Sequence, residues 1–175
     1  MTPVELLKRD ADYGWKELSV ALEGVSEGQA WAILPNGGSE YLHTDSSIFG
    51  ITLHVACSKY MNGSVSFRNC EHRWRQLAER IAGFEPNWDQ AVDFLRQGQK
   101  YWMDTWAVLK DIEEILPTAT HGKQPAWRII QMMNQHDAYH AGQIAILRYA
   151  IGETHDKPTS VVADIHQHCR ELIAW

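Results

Sequence analysis

The sequence predicts an all-α protein, a four-helix bundle with additional short helices, as a single domain over residues 1–175. Three observations carry that expectation. Four long segments repeat apolar residues at three- and four-residue spacing, the period of a helix with one face in a core. No convincing run alternates apolar and polar residues as a half-buried strand would. With 175 residues, 45% of them hydrophobic, the chain is long enough for one sizeable core.

Leu7, Ala11, Gly14, Leu18, Ala21 and Val25 predict a first helix over roughly residues 3–26, with Pro3 suited to its first turn. Pro35-Asn36-Gly37-Gly38-Ser39 reads as a loop. A second helix is expected from Asp45 or Ser46, carrying Ile48, Ile51 and Val55 and ending at Asn62-Gly63-Ser64. A short helix around Glu71–Ala82 is stopped by Gly83 and Pro86. Asn87 with Gln90 resembles a cap for the third long helix. Its stripe runs Ala91, Leu95, Gly98, Trp102, Trp106, Leu109 and Ile112, and Pro117 closes the segment. The loop Thr118–Gln124 leads through Pro125 to a fourth helix over about residues 126–151, with Gly152 as its stop. Thr159 or Ser160 can cap a last helix carrying Val162, Ile165, Cys169 and Leu172. The connections before the second and third helices are long, so a simple up-down-up-down order does not follow.

The formal charge of -6 and the lack of a long basic block argue against a nucleic-acid surface. No apolar stretch approaches the ~20 residues that span a bilayer. Glu5, Lys8, Arg9, Asp10 and Asp12 leave no room for a secretory apolar core. Cys57, Cys70 and Cys169 are an odd number without Cys-x-x-Cys spacing, which favours a reducing compartment. The expectation is a soluble, cytoplasmic protein.

The most informative motif is His136-Asp137-Ala138-Tyr139-His140. Four residues at 3.6 per turn leave two side chains about 40° apart and roughly 6 Å along the axis, on one helix face. Ile129, Met133, His136, His140, Ile144, Leu147 and Ile151 form one apolar stripe, so both imidazoles face a core and need partners there. A metal ion could satisfy both. A useful site needs a third ligand. His54 is the best candidate, three residues after Ile51 and one before Val55, at the edge of the second helix's apolar face. His43 and His121 fall in expected loops, and His155, His166 and His168 lie near or beyond the end of the fourth helix.

Neighbouring residues have plainer readings. Asp137 is rotated about 100° from His136 and is expected to cap or pair elsewhere in the bundle. It replaces the glutamate of His-Glu-x-x-His zinc proteases, and no downstream ligand follows, so that comparison fails. Gln143 returns to nearly the face of His136 and could hydrogen-bond a ligand or support a neighbouring helix. Gly142 is read as permitting close helix approach, Trp102 and Trp106 as packing, and Cys57 as packing in preference to a fourth ligand or reactive thiol.

His54, together with the His-x-x-x-His-x-Gly-Gln run from His136 to Gln143, resembles the DinB/YfiT-like family of metal-dependent enzymes. Leu22-Glu23-Gly24-Val25-Ser26 followed by Trp31 is similar to that family's N-terminal segment. The resemblance implies a four-helix bundle, often a homodimer, with a three-histidine site at His54, His136 and His140 for a divalent metal such as zinc or nickel. It further implies a small-molecule substrate, with a low-molecular-weight thiol as a candidate partner, and hydrolysis or thiol-dependent transfer as the reaction. No residue is assigned as catalytic. The rival reading is a non-catalytic metal-binding or stress-response bundle protein.

Overall fold

A computed structural model describes residues 1–33, 47–84 and 87–152. Helix α1 (Pro3–Leu22) starts on a capping box, in which Glu5 N donates to Thr2 Oγ1 at 3.2 Å and Thr2 N donates to Glu5 Oε2 at 2.6 Å. It ends four residues before the expected boundary. Gly24 takes a φ of +74°, and Ser26 caps a separate short helix, α2 (Glu27–Trp31).

Helix α3 (Ile48–Phe67) is capped by Ser47, whose Oγ accepts from Gly50 N at 2.9 Å. The expected stop at Asn62-Gly63-Ser64 does not occur, because each residue finds a place inside the helix. Asn62 donates to the Ser58 carbonyl at 3.0 Å, and Ser64 Oγ accepts from His72 N at 2.7 Å. A Cβ on Gly63 would lie 2.9 Å from Tyr101 Cε1, so only glycine lets that ring approach. The chain then turns through Asn69 and Cys70, both at positive φ, into α4 (Trp74–Ile81), shorter than the expected 71–82.

Asn87 caps α5 (Trp88–Trp106), its Oδ1 accepting from Gln90 N at 3.0 Å. This helix stops at Trp106 and does not continue to Ile112. The residues that follow form strand β1 (Ile115–Pro117), paired antiparallel with β2 (Lys123–Pro125), with Leu116 opposite Gln124. Three-residue strands are too short to show alternation in a sequence, so the hairpin corrects the expectation of helices and loops alone. Pro125 leads directly into α6 (Ala126–Ile151), which ends at Gly152 with φ +85°. The expected loop at 35–39, the caps Asp45 and Ser46, Pro86, the last helix, and His43, His155, His166, His168 and Cys169 lie outside the described residues.

The side-chain pairings define the topology. Gly14 abuts Asn134, and Arg148 donates to the Ala21 carbonyl at 2.7 Å, so α1 and α6 run parallel. Gly98 abuts Ala56 while Gly63 abuts Tyr101, so α3 and α5 also run parallel. Lys59 meets Asp137 and Asn62 meets Met133, which sets α3 antiparallel to α6. The four long helices are therefore ordered up-down-down-up, with α4 in the return connection. Apolar side chains form two clusters, and α6 passes from one (Ile129, Ile130, Met133) to the other (Ala141, Ile144, Leu147). His136, Asp137 and His140 occupy the stretch between them. No helix among the described residues is long and apolar enough to cross a membrane.

Candidate functional site

Helix α3 presents His54, and α6 presents His136 and His140 from successive turns, to one point at their antiparallel contact. His54 Nε2 and His140 Nε2 each lie 3.1 Å from His136 Nε2, and the three nitrogens fall within 4.8 Å of one another. His140 is 2% exposed, and the other two are half-buried. The spacing expected from sequence thus becomes a convergence of three ring nitrogens.

Donor chemistry narrows what this arrangement fits. A single N–H on His136 cannot point at both neighbouring nitrogens, so proton sharing leaves one of the two 3.1 Å contacts poorly satisfied. Two nitrogens bound to one ion at about 2.0–2.1 Å, with angles of about 90–110°, are separated by about 2.8–3.4 Å. The observed contacts fall inside that range. A divalent metal is therefore compatible with the donors and their spacing.

The ring of His140 is oriented from behind. Its Nδ1 lies 2.7 Å from Gln143 Oε1, while Gln143 Nε2 donates to Tyr139 Oη at 2.9 Å. A carbonyl oxygen can only accept, so Nδ1 carries a proton, and in the neutral ring Nε2 keeps its lone pair toward the other histidines. This is the support expected behind a ligating histidine.

The chain matches the DinB superfamily model over residues 11–144. It belongs to the DinB superfamily. The matched span contains His54, His136, His140 and Gln143. Comparisons with curated proteins and with solved structures gave no match.

Other residues that stand out in the sequence of this DinB superfamily member settle elsewhere. Asp137 points away from the histidines and accepts from Lys59 Nζ at 2.6 Å, the pairing its 100° rotation anticipates. Burial pushes the Asp137 carboxyl up and the Lys59 ammonium down, each opposed by its partner's charge. Cys57 sits among apolar side chains, and burial raises its thiol to about 12, so packing explains it. Trp102 and Trp106 are core residues with ring centroids 6.3 Å apart. His121 lies exposed between β1 and β2.

Two features depart from the sequence reading. A Cβ on Gly142 would meet nothing within 4 Å, so that glycine serves no close helix approach. Lys59 carries no motif, although it follows Val55 by four residues on the helix face turned to the core. A lysine on that stripe was the available signal.

Proposed function

We propose that this DinB superfamily protein is a divalent-metal-dependent enzyme whose metal is held by His54, His136 and His140. The observation that carries the reading is the convergence of three Nε2 atoms, two of them 3.1 Å from the third. Imidazole donors suit zinc or nickel, and three protein ligands leave a coordination position for water or a small molecule. When bound, such an ion supplies Lewis acidity, polarising a carbonyl or making a bound water or thiol more acidic. The proposed reaction is hydrolysis or thiol-dependent transfer on a small-molecule substrate.

The chain's own residues have definable tasks. Gln143 holds the proton on His140 Nδ1 and so keeps Nε2 available as a donor. On α6 the buried residues Met133, Ala141 and Ile144 flank the histidines in sequence, while half-buried His54 and His136 leave the cluster in partial contact with solvent. Among the described residues, no cysteine, acidic residue or fourth histidine joins the cluster, which favours an open site over the closed one a purely structural metal needs.

Elemental analysis of wild type beside His54→Ala and His140→Ala tests the assignment. One equivalent of zinc or nickel in wild type and its loss in both variants is expected. Wild type without metal after growth in replete medium would sink the reading, as would full metal content in both variants. Metal-dependent turnover of thiols with small electrophiles, and of hydrolysable esters or amides, then separates transfer from hydrolysis.

A further inference from the structure

Lys59 and Asp137 form an ion pair of 2.6 Å between α3 and α6, with side chains 0% and 3% exposed. Asp137 Oδ1 has no hydrogen-bond partner among the described residues. Such a pair is not explained by stability, because two desolvated charges often do no better than apolar residues of the same volume. What a short ion pair does supply is direction. Apolar surfaces tolerate sliding, whereas two charged groups at 2.6 Å fix one helix against the other.

The need for such a fixture follows from where the histidines sit. Helix α6 is bound to α1 by Asn134, which donates to Asp10 Oδ2 at 2.9 Å, and by the contact of Gly14 with Asn134. Helix α3 is bound to α5 through Gly63 and Gly98 and the Tyr60–Tyr101 stack, with centroids 5.1 Å apart. The histidines are divided between the two pairs. Asn62 adds a weak contact across α3 and α6, donating to Met133 Sδ at 3.4 Å. An axial slip of one residue is about 1.5 Å, several times the roughly 0.2 Å tolerance of a metal–ligand distance.

We propose that Lys59 and Asp137 are positioning residues that set the register of α3 against α6 and thereby bring His54 within reach of His136 and His140. The role in metal binding rests on the three-histidine reading above. The register itself does not depend on that reading.

The test is the double variant Lys59→Met with Asp137→Leu, which removes both charges and keeps an apolar contact. Two measurements are made. In metal-free protein, nuclear Overhauser effects between the His54 and His140 rings, 4.9 Å apart by centroid, report the register directly. Titration with zinc alone, and the visible spectrum with cobalt(II), report the assembled donors. The expected result is a folded double variant without the ring-to-ring Overhauser effects, with at least tenfold weaker zinc binding and an altered cobalt spectrum. Wild-type Overhauser effects in the folded double variant overturn the proposal, whatever the metal does.

Disappearance of these effects in the variant, when wild type itself binds no zinc, would retain the register pin and reject the metal reading. Asp137→Asn, which keeps the side chain's shape but not its charge, gives the same readouts if the double variant does not fold. Weakened Overhauser effects and weaker zinc binding are expected, and wild-type effects again overturn the role. The reversed pair, Lys59→Asp with Asp137→Lys, is expected to restore the ring proximity that the double variant lacks.

Discussion

His140 donates its Nδ1 proton to Gln143 Oε1 at 2.7 Å, and that bond decides which nitrogen faces the other two histidines. The amide is itself held, because Gln143 Nε2 donates to Tyr139 Oη at 2.9 Å. The resulting order Tyr139–Gln143–His140 lies within about one helical turn of α6, where residues three and four apart are neighbours.

Gln143→Leu removes the acceptor and leaves the His140 tautomer unspecified. Zinc affinity is expected to fall by about tenfold to a hundredfold, the usual effect of losing a partner behind a ligating histidine. Gln143→Glu keeps an acceptor and should lose far less. Competition with a chromophoric chelator measures both, and equal affinity in Gln143→Leu and wild type would falsify the orienting role.

Two glycines in helices should respond in opposite directions to alanine. At Gly14 the new Cβ would stand 2.9 Å from the Asn134 carbonyl oxygen, forcing α1 away from α6. Gly14→Ala is expected to destabilise by about 1–3 kcal/mol. Gly142 has open space around the same position, so Gly142→Ala should stabilise by about 0.5–1 kcal/mol through helix propensity and reduced unfolded-state freedom. Urea denaturation of the two variants, compared with wild type, checks both signs.

Burial raises the Cys57 thiol to about 12, so in folded protein it stays protonated where an exposed thiol ionises. In a Cys70→Ser, Cys169→Ser background, a thiol reagent at pH 8 should label Cys57 only on unfolding. The sign of the stability effect follows from the protons bound. Between about pH 9 and about 12 the unfolded chain releases a proton that the folded chain retains, so stability falls as pH rises, by at most about 1.4 kcal/mol per pH unit from this group. Rapid labelling of folded protein, or a Cys57→Ala variant with the same alkaline loss, would contradict this account.

Lys59→Met alone leaves the Asp137 carboxylate buried without its cation and is expected to cost about 3–5 kcal/mol. Adding Asp137→Leu removes the stranded charge, so the double variant should recover most of that loss. Urea midpoints of the three proteins measure the coupling, and equal destabilisation by the single and double changes would remove the case for a coupled pair.

The parts of the fold legible in the sequence were those with long periodic stripes. The start of α6, its end at Gly152 and the cap at Asn87 follow from local rules that packing did not override. The end of α3 did not follow, because Gly63 and Asn62 carry stop signals locally while their surroundings in the bundle give each a use within the helix. The hairpin of β1 and β2 was invisible for want of length. At the site, the three histidines that converge were readable because imidazoles on an apolar stripe conflict with their surroundings. Lys59 posed the same conflict less visibly, since long cationic side chains commonly lie along a helix surface with their charge in water. Its 0% exposure shows that this one does not.

The glycine contacts have a mechanical consequence. Gly14 meets the α6 backbone at Asn134 and Gly98 meets the α3 backbone at Ala56, whereas the polar contacts between those two helix pairs, Lys59–Asp137 and Asn62–Met133, run through side chains. Both apolar clusters span that boundary, yet partial opening is cheapest where backbones are not in contact, so the bundle is expected to part first between the two helix pairs. His54 lies on one pair, and His136 and His140 lie on the other. A small excursion that parts the pairs takes His54 away from His136 and His140 while the helices stay intact, so the site is a more sensitive gauge of the molecule's integrity than its helical content.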